Sequence, residues 1–323
     1  EARRWFSLTF PDYETVRTEV SNLPNPYHVG SVSAVGPDKP VLFVTGRYRS
    51  GSTLLWNLFR KLDGHTAYYE PFNERRWFDI DLRGEHTDSS HQGVDNYWSE
   101  YNGLEHLGRY YHEDWTRYGL YMGRYAYAPD MKAYINELIL SAKGRPVLQF
   151  NRVDFRLGWL RQNYPEAKIL HIYRNPRDQW CSVLRDLSAY PPSARSADGF
   201  GDHFYHRIWV RDLACQFPFL ADYENRHQYY TFYFLWKLSL AFGKKYADLS
   251  LSMERLTDTP KDCLAEILAV TGSRSRLHDL DLGFVNKATS RWQHYASEEW
   301  FGAIEAECES VLDDFFLMGM TEA

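Results

Sequence analysis

The chain has 323 residues, 44% of them hydrophobic and 17% aromatic, enough to bury the core of one large domain. A formal net charge of −6 excludes a protein that coats nucleic acid, so any anion-binding site has to be focal. Its four cysteines, Cys181, Cys215, Cys263 and Cys308, lie far apart without CxxC spacing, which argues against a zinc cluster or a dense disulfide framework.

Residues 1–40 mix aromatics and acids with the Pro-rich turns SNLPNPY and GPDKP and read as an arm leading to the first core strand. The start, EARRWFSLTF, lacks an initiating Met and shows no cationic stretch followed by an apolar one, so a removed leader, anchor or neighbouring domain stays open. No apolar run approaches the roughly 18 residues of a membrane helix, and the expected compartment is the cytoplasm. VLFVTG, Val41 to Gly46, is short, β-rich and apolar, the pattern of a buried parallel strand. STLLWNLFRKL follows with Leu54, Leu55, Leu58, Phe59 and Leu62 at helical spacing, and TAYYE reads as a second strand ending at Glu70.

Residues 75–145 are rich in Tyr, Trp and His and carry one helical pattern, MKAYINELILSAK. They are expected to form an insertion on the substrate side. PVLQF and Ile169–Tyr173 read as further strands, each followed by a helix, the second with Pro176 placed for its first turn. More helices are predicted around 204–217, 226–246, 260–271 and 297–312, and another strand at LSLSM. Strands alternating with helices predict an α/β domain over residues 41–323: a three-layer, P-loop-like fold with a central parallel sheet flanked by helices and an aromatic-rich helical insertion.

Two segments carry anion-binding chemistry. GRYRSGST, Gly46 to Thr53, joins a strand to a helix, so backbone N–H groups and the helix N-terminus can converge on a phosphate or sulfate among Arg47, Arg49, Ser50, Ser52 and Thr53. It is not the nucleoside-triphosphate loop GxxxxGK[ST], because Ser52 rather than lysine follows Gly51. Taken alone, the loop is also compatible with an ordinary turn carrying solvated arginines. In YRNPRDQWCS, Arg174 sits at a strand's carboxyl end and Ser182 two turns along the next helix, which directs both toward the crevice where ligands of open α/β sheets gather. A salt bridge from Arg174 to Asp178 or Asp186, and a bond from Ser182 back to its own helix, are the structural alternatives.

These segments resemble a known family. TGRYRSGSTLLWNLFR is similar to the 5′-phosphosulfate loop of PAPS-dependent sulfotransferases (PAPS, 3′-phosphoadenosine-5′-phosphosulfate), and HIYRNPRDQWCSVLRD to their 3′-phosphate motif. SLSMERLTDTP, Ser250 to Pro260, resembles the strand and turn that precede a late helix in the family. The resemblance implies PAPS as sulfuryl donor, PAP as product and no metal. It assigns Arg49 to the 5′-phosphate and the transferring sulfuryl group, Ser50, Gly51, Ser52 and Thr53 to wrapping the 5′-phosphate, and Arg174 and Ser182 to the 3′-phosphate. NKATSRWQ, Asn286 to Gln293, falls where the family has a variable nucleotide-binding loop and offers Lys287, Arg291 and Trp292. The glycine-rich segment that cytosolic small-molecule members carry there is absent.

Sulfuryl transfer also needs a group to take the acceptor's proton. Glu70 in AYYEPFNE is the first candidate, since Pro71 turns the chain at the strand's end and the segment resembles the EP segment of carbohydrate sulfotransferases. An ion pair with Arg47, Arg75 or Arg76 is its structural alternative. Histidines are the rivals, among them His65, His106, His112 and His171, of which His171, inside a buried strand, reads as packing. Arg152 and Asp154 could line the acceptor side or pair internally. The aromatic tract 96–127 can stack on sugar faces, which favours a glycan acceptor over a lipid, polyketide or other small metabolite. A non-catalytic nucleotide-binding module and a kinase are the readings from other classes; no nucleic-acid partner is expected and the oligomeric state is open.

Overall fold

A computed structural model describes residues 40–273, 283, 285 and 290–320; the rest of the N-terminal arm and Lys287 lie outside the described residues. Strand β1 (Leu42–Thr45) is buried along its whole length, as expected of a central strand covered on both faces. It runs parallel to β3 (Arg145–Phe150) on one side and β4 (Lys168–Tyr173) on the other, with Val44 opposite Gln149 and Leu170. β2 (His65–Tyr69) lies outside β3 and β5 (Leu249–Ser252) outside β4, giving the all-parallel order β2-β3-β1-β4-β5.

The helices follow in chain order as α1 (Ser52–Arg60), α2 (Pro129–Ser141), α3 (Leu157–Asn163), α4 (Pro176–Leu184), α5 (His206–Leu213), α6 (Phe219–Tyr223), α7 (Tyr229–Tyr246), α8 (Met253–Asp258), α9 (Pro260–Thr271) and α10 (Glu298–Met320). One apolar cluster joins the sheet to α1, α2, α3 and α9, and a second joins α4 to α7 with α10. The result is the expected α/β arrangement, a parallel sheet flanked by helices. The short helix α6, absent from the sequence reading, begins behind Pro218, which cannot continue a preceding helix. Within 75–145 the chain forms α2 and three short 3-10 turns, Ser99–Tyr101, Glu105–Arg109 and Glu113–Thr116, and is otherwise irregular. Among the described residues no helix is long and apolar enough to cross a membrane.

Strand order fixes where a ligand can sit. From β1 the chain leaves through α1 toward β2 on one flank, and from β4 it leaves through α4 toward β5 on the other. Because β1 and β4 are neighbours, their outgoing loops part in opposite directions and open a crevice beyond the strand ends.

Candidate active site

The loop after β1 approaches its neighbours closely. A side chain at Gly46 would put its Cβ 2.5 Å from the carbonyl oxygen of Ile172, so only glycine fits against β4. Gly51, at φ 95°, caps α1, whose first turn holds no acidic residue and has no side-chain cap, leaving its N–H groups available to an anion. Arg49 adopts φ 66°, a costly conformation for a residue with a Cβ. The loop is pinned from α4 by Gln179, whose Nε2 donates to the Tyr48 carbonyl at 2.6 Å. Arg47 turns away, stacked over Trp209 at 5.3 Å, where burial lowers its pKa to about 10. The hydroxyl of Ser50 is buried without a hydrogen-bond partner.

The second segment closes on the first. Asn175 caps α4 by accepting from the Arg177 amide at 3.0 Å, and Pro176 occupies the first turn. Two turns on, Ser182 accepts from Arg49 Nε at 2.9 Å, and Arg174 donates to the Arg49 carbonyl at 3.5 Å. Asp178, which offered Arg174 a salt bridge, instead accepts from the Arg291 and Trp292 amides at 2.7 and 3.4 Å. That contact brings Arg291 to the crevice, while Trp292 packs beneath Arg177 at 4.9 Å.

Together these elements enclose a cleft of about 990 Å³, into which Arg49, Gly51, Ser52, Thr53, Glu70, Arg174, Ser182 and Arg291 all face. Arg47, Ser50 and Trp292 do not line it. Six arginines and three carboxylates make the lining basic within a chain of net charge −6. Burial lowers the pKa of both Arg49 and Arg174, the cost of holding guanidinium groups away from water.

Glu70 lies directly after β2 with φ 37°. Its carboxylate sits in a cage: Oε1 accepts from Asn151 at 2.5 Å, and Oε2 from Asn73 at 2.6 Å and Arg152 at 2.8 Å. Arg152 bridges onward to Glu74 at 2.7 Å and lies over the Tyr48 ring at 5.2 Å. Burial alone would lower the Arg152 pKa, but Tyr48, Glu70 and Glu74 together drive it up. The partner of Glu70 is therefore Arg152, not Arg47, Arg75 or Arg76. β2 pairs with β3, so residues just past β3 become neighbours of the residue just past β2. Asp154, by contrast, is internal, accepting from Thr45 at 2.5 Å and Ser239 at 2.9 Å.

The signature described as "Sulfotransferase family" matches residues 40–227, more than half of the chain, including Gly46 to Thr53 and Tyr173 to Ser182. The chain belongs to this sulfotransferase family. Among solved structures it is similar to a sulfotransferase from Alicyclobacillus acidocaldarius, at 17% identity and TM-score 0.40 over 86% of this chain and 96% of that one. It is also similar to the sulfotransferase STF9 from Mycobacterium avium, at 12% identity and TM-score 0.46 over 94% and 79%. No curated protein matches the chain.

In this sulfotransferase His65, His106, His112 and His171 stay outside the cleft lining. His106 pairs with Glu137 and His112 with Asp130 on exposed surface, His65 bonds the Asp63 carbonyl, and buried His171 shares a 2.8 Å bond with Ser250. Of the aromatic tract 96–127, only Tyr97 reaches the cleft. The remaining aromatic wall comes from Tyr48, Tyr69, Trp77, Phe204 and Tyr205. The insertion as a whole, residues 75–145, does something else for the site. Tyr101 donates to the Tyr69 carbonyl at 3.0 Å, Tyr134 to Pro71 at 2.8 Å and Tyr111 to Asn73 at 2.9 Å, all buried, so three hydroxyls bolt alternate carbonyls of the Glu70 turn. Asn73 and Asn151 were missed by the sequence reading, although Asn73 stands in the quoted segment EPFN.

Proposed function

We propose that this protein transfers the sulfuryl group of PAPS to an acceptor hydroxyl, with Glu70 as general base and Arg49 at the point of transfer. The observation that carries this reading is the 2.9 Å bond from Arg49 to Ser182, which joins segments 133 residues apart in sequence. The β1 loop and the Ser182 turn of α4 thus face one volume, and PAPS carries an anionic group on each side of its ribose to match them. On this reading Gly51, Ser52 and Thr53 present the start of α1 to the 5′-phosphate. Arg174 and Ser182 hold the 3′-phosphate, and Arg291 adds charge from the loop tied to Asp178. Arg47, turned onto Trp209, is left out of the donor contacts.

PAPS supplies an activated sulfuryl group on a phosphate leaving group. As the acceptor oxygen bonds to sulfur and the sulfur–oxygen bond to phosphate breaks, Arg49 neutralises charge on the departing phosphate. Glu70 takes the acceptor's proton. Asn73, Asn151 and Arg152 occupy three of the roughly four lone-pair directions of its carboxylate, which fixes its plane and leaves one direction for the incoming hydroxyl. The flat faces of Trp77, Tyr97, Phe204 and Tyr205 support a saccharide acceptor.

Glu70→Gln is expected to cut kcat on the order of 10² to 10⁴-fold while PAP binding by calorimetry stays as in the wild type. Near-normal turnover would remove Glu70 as base and turn attention to the cleft histidines His86, His91 and His203. A donor assay that finds tight binding of ATP and none of PAPS sinks the donor assignment. Labelled sulfate appearing only on small non-saccharide metabolites removes the glycan part.

A further inference from the structure

Arg185 ends α4 in an unusual way. Its φ of 60° and ψ of −61°, with the Asp186 amide donating to the Leu184 carbonyl at 2.6 Å, form a γ-turn of the positive-φ kind, which is strained for any residue with a Cβ. The turn sends the guanidinium into the cleft, over the ring of Phe204 at 5.6 Å. Phe204 in turn packs on Tyr48 at 4.9 Å, the residue just before Arg49. Arg185 lies one helical turn beyond Ser182, the residue bonded to Arg49. Its charge depresses the Arg49 pKa further, after burial and against the pull of Asp88. Two cations therefore line the same cleft within electrostatic reach of each other, and among the described residues Asp88 pairs with Arg49 at 3.8 Å while no acidic side chain pairs with Arg185. Asp88 offsets the charge of Arg49, whereas the strained, cleft-facing Arg185 has no such counter-charge and is left able to meet an anionic ligand.

We propose that Arg185 is a donor-binding residue that grips the 5′-phosphosulfate end of PAPS beside Arg49. The inference rests on the PAPS reading above. The 5′ end is chosen because Phe204 carries Arg185 against Tyr48 of the β1 loop, next to Arg49, the residue this reading sets at the transferring group.

The test is calorimetry with PAP and with 5′-AMP on the wild type, R185A, R185K and R185G, each checked by thermal melting without ligand. R185A is expected to weaken both nucleotides on the order of tenfold, the scale of a lost charge-assisted hydrogen bond, and R185K to recover part of the loss. R185G is expected to weaken them likewise yet melt above the wild type, because glycine relieves the positive φ; a merely structural arginine would give the opposite melt. Equal affinity of wild type and R185A for PAP overturns the proposal. Loss for PAP with 5′-AMP unaffected overturns the 5′ assignment. If the wild type itself binds no PAP, the donor reading fails, and that outcome is visible without any variant.

Discussion

At the scale of single residues, the carboxylate cage around Glu70 buries a charged pair in the cleft wall. Glu70 and Arg152 keep side-chain exposures of only 7% and 2%, so each depends on the other to offset the loss of water. Glu74 shares the arginine but is partly exposed and cannot replace the inner contact. Arg152→Met keeps the volume and removes the charge, leaving Glu70 buried with two amide donors. We expect this variant to lose about 3 to 5 kcal/mol of unfolding free energy, read from urea midpoints. A loss below about 1 kcal/mol would mean that water reaches Glu70 far more freely than its burial indicates. Arg47 and Arg49 show the converse case of two like residues with unlike fates. They stand two positions apart in a loop whose positive φ at Arg49 throws one guanidinium into the cleft and leaves the other stacked on Trp209.

At the scale of elements, the site is assembled by strand adjacency and by the tyrosine bolts. Tyr101, Tyr111 and Tyr134 reach the Glu70 turn from separate stretches of the insertion, each donating to a carbonyl of that turn, although the Asn73 carbonyl also accepts from the Arg76 amide at 3.0 Å. Tyr134→Phe is expected to cost about 1 kcal/mol in stability. Because it frees the carbonyl of Pro71, next to the proposed base Glu70, kcat should fall while PAP affinity holds. Unchanged kcat in the doubly substituted Tyr111→Phe, Tyr134→Phe protein would show that the turn needs no such support. These elements also show what the sequence makes legible. The strand, glycine loop and helix at Val41 to Leu62, and the strand with proline-started helix at Ile169 to Leu184, are local patterns, and both lie where the periodicity places them. Glu70 at the end of β2 was equally readable. Its partners were not, because Asn151 and Arg152 follow β3, and only the sheet order β2-β3-β1 brings them beside Glu70. The aromatic tract misled for a related reason. Composition shows that rings are present, but only tertiary packing decides whether they face a ligand or hold a backbone turn.

At the scale of the whole molecule, three buried histidines tie stability to pH. His171 in β4 and His227 ahead of α7 have pKa values lowered to about 4, and His206 at the start of α5 to about 3, in each case first by burial. Lys244 adds to the drop at His171 while Asp154 opposes it, and Arg47 and Arg207 add to it at His206. The fold accepts these rings only as neutral groups, hydrogen-bonded to Ser250, Tyr295 and Thr231 respectively. Unfolded, each has a pKa near 6.5. Above that value neither state is protonated and stability is at its plateau. Below it the unfolded chain takes up protons that the native chain refuses, so stability falls as pH drops from about 6.5 toward 4, by up to about 1.4 kcal/mol per pH unit for each ring. His65 and His91, lowered in the same direction by burial, steepen the slope. Paired carboxylates such as Asp248 and Glu307, whose pKa values are lowered, lose their contribution only at more acid pH, so the two effects separate. Urea midpoints should therefore fall steadily between pH 7 and pH 5, before the carboxylates titrate. His171→Gln can keep a bond to Ser250 without a titrating ring and should flatten that slope by roughly one proton. A midpoint that stays level from pH 7 to pH 5 would show that these rings take up protons in the native state, with water reaching the seams between β4, α5 and α7.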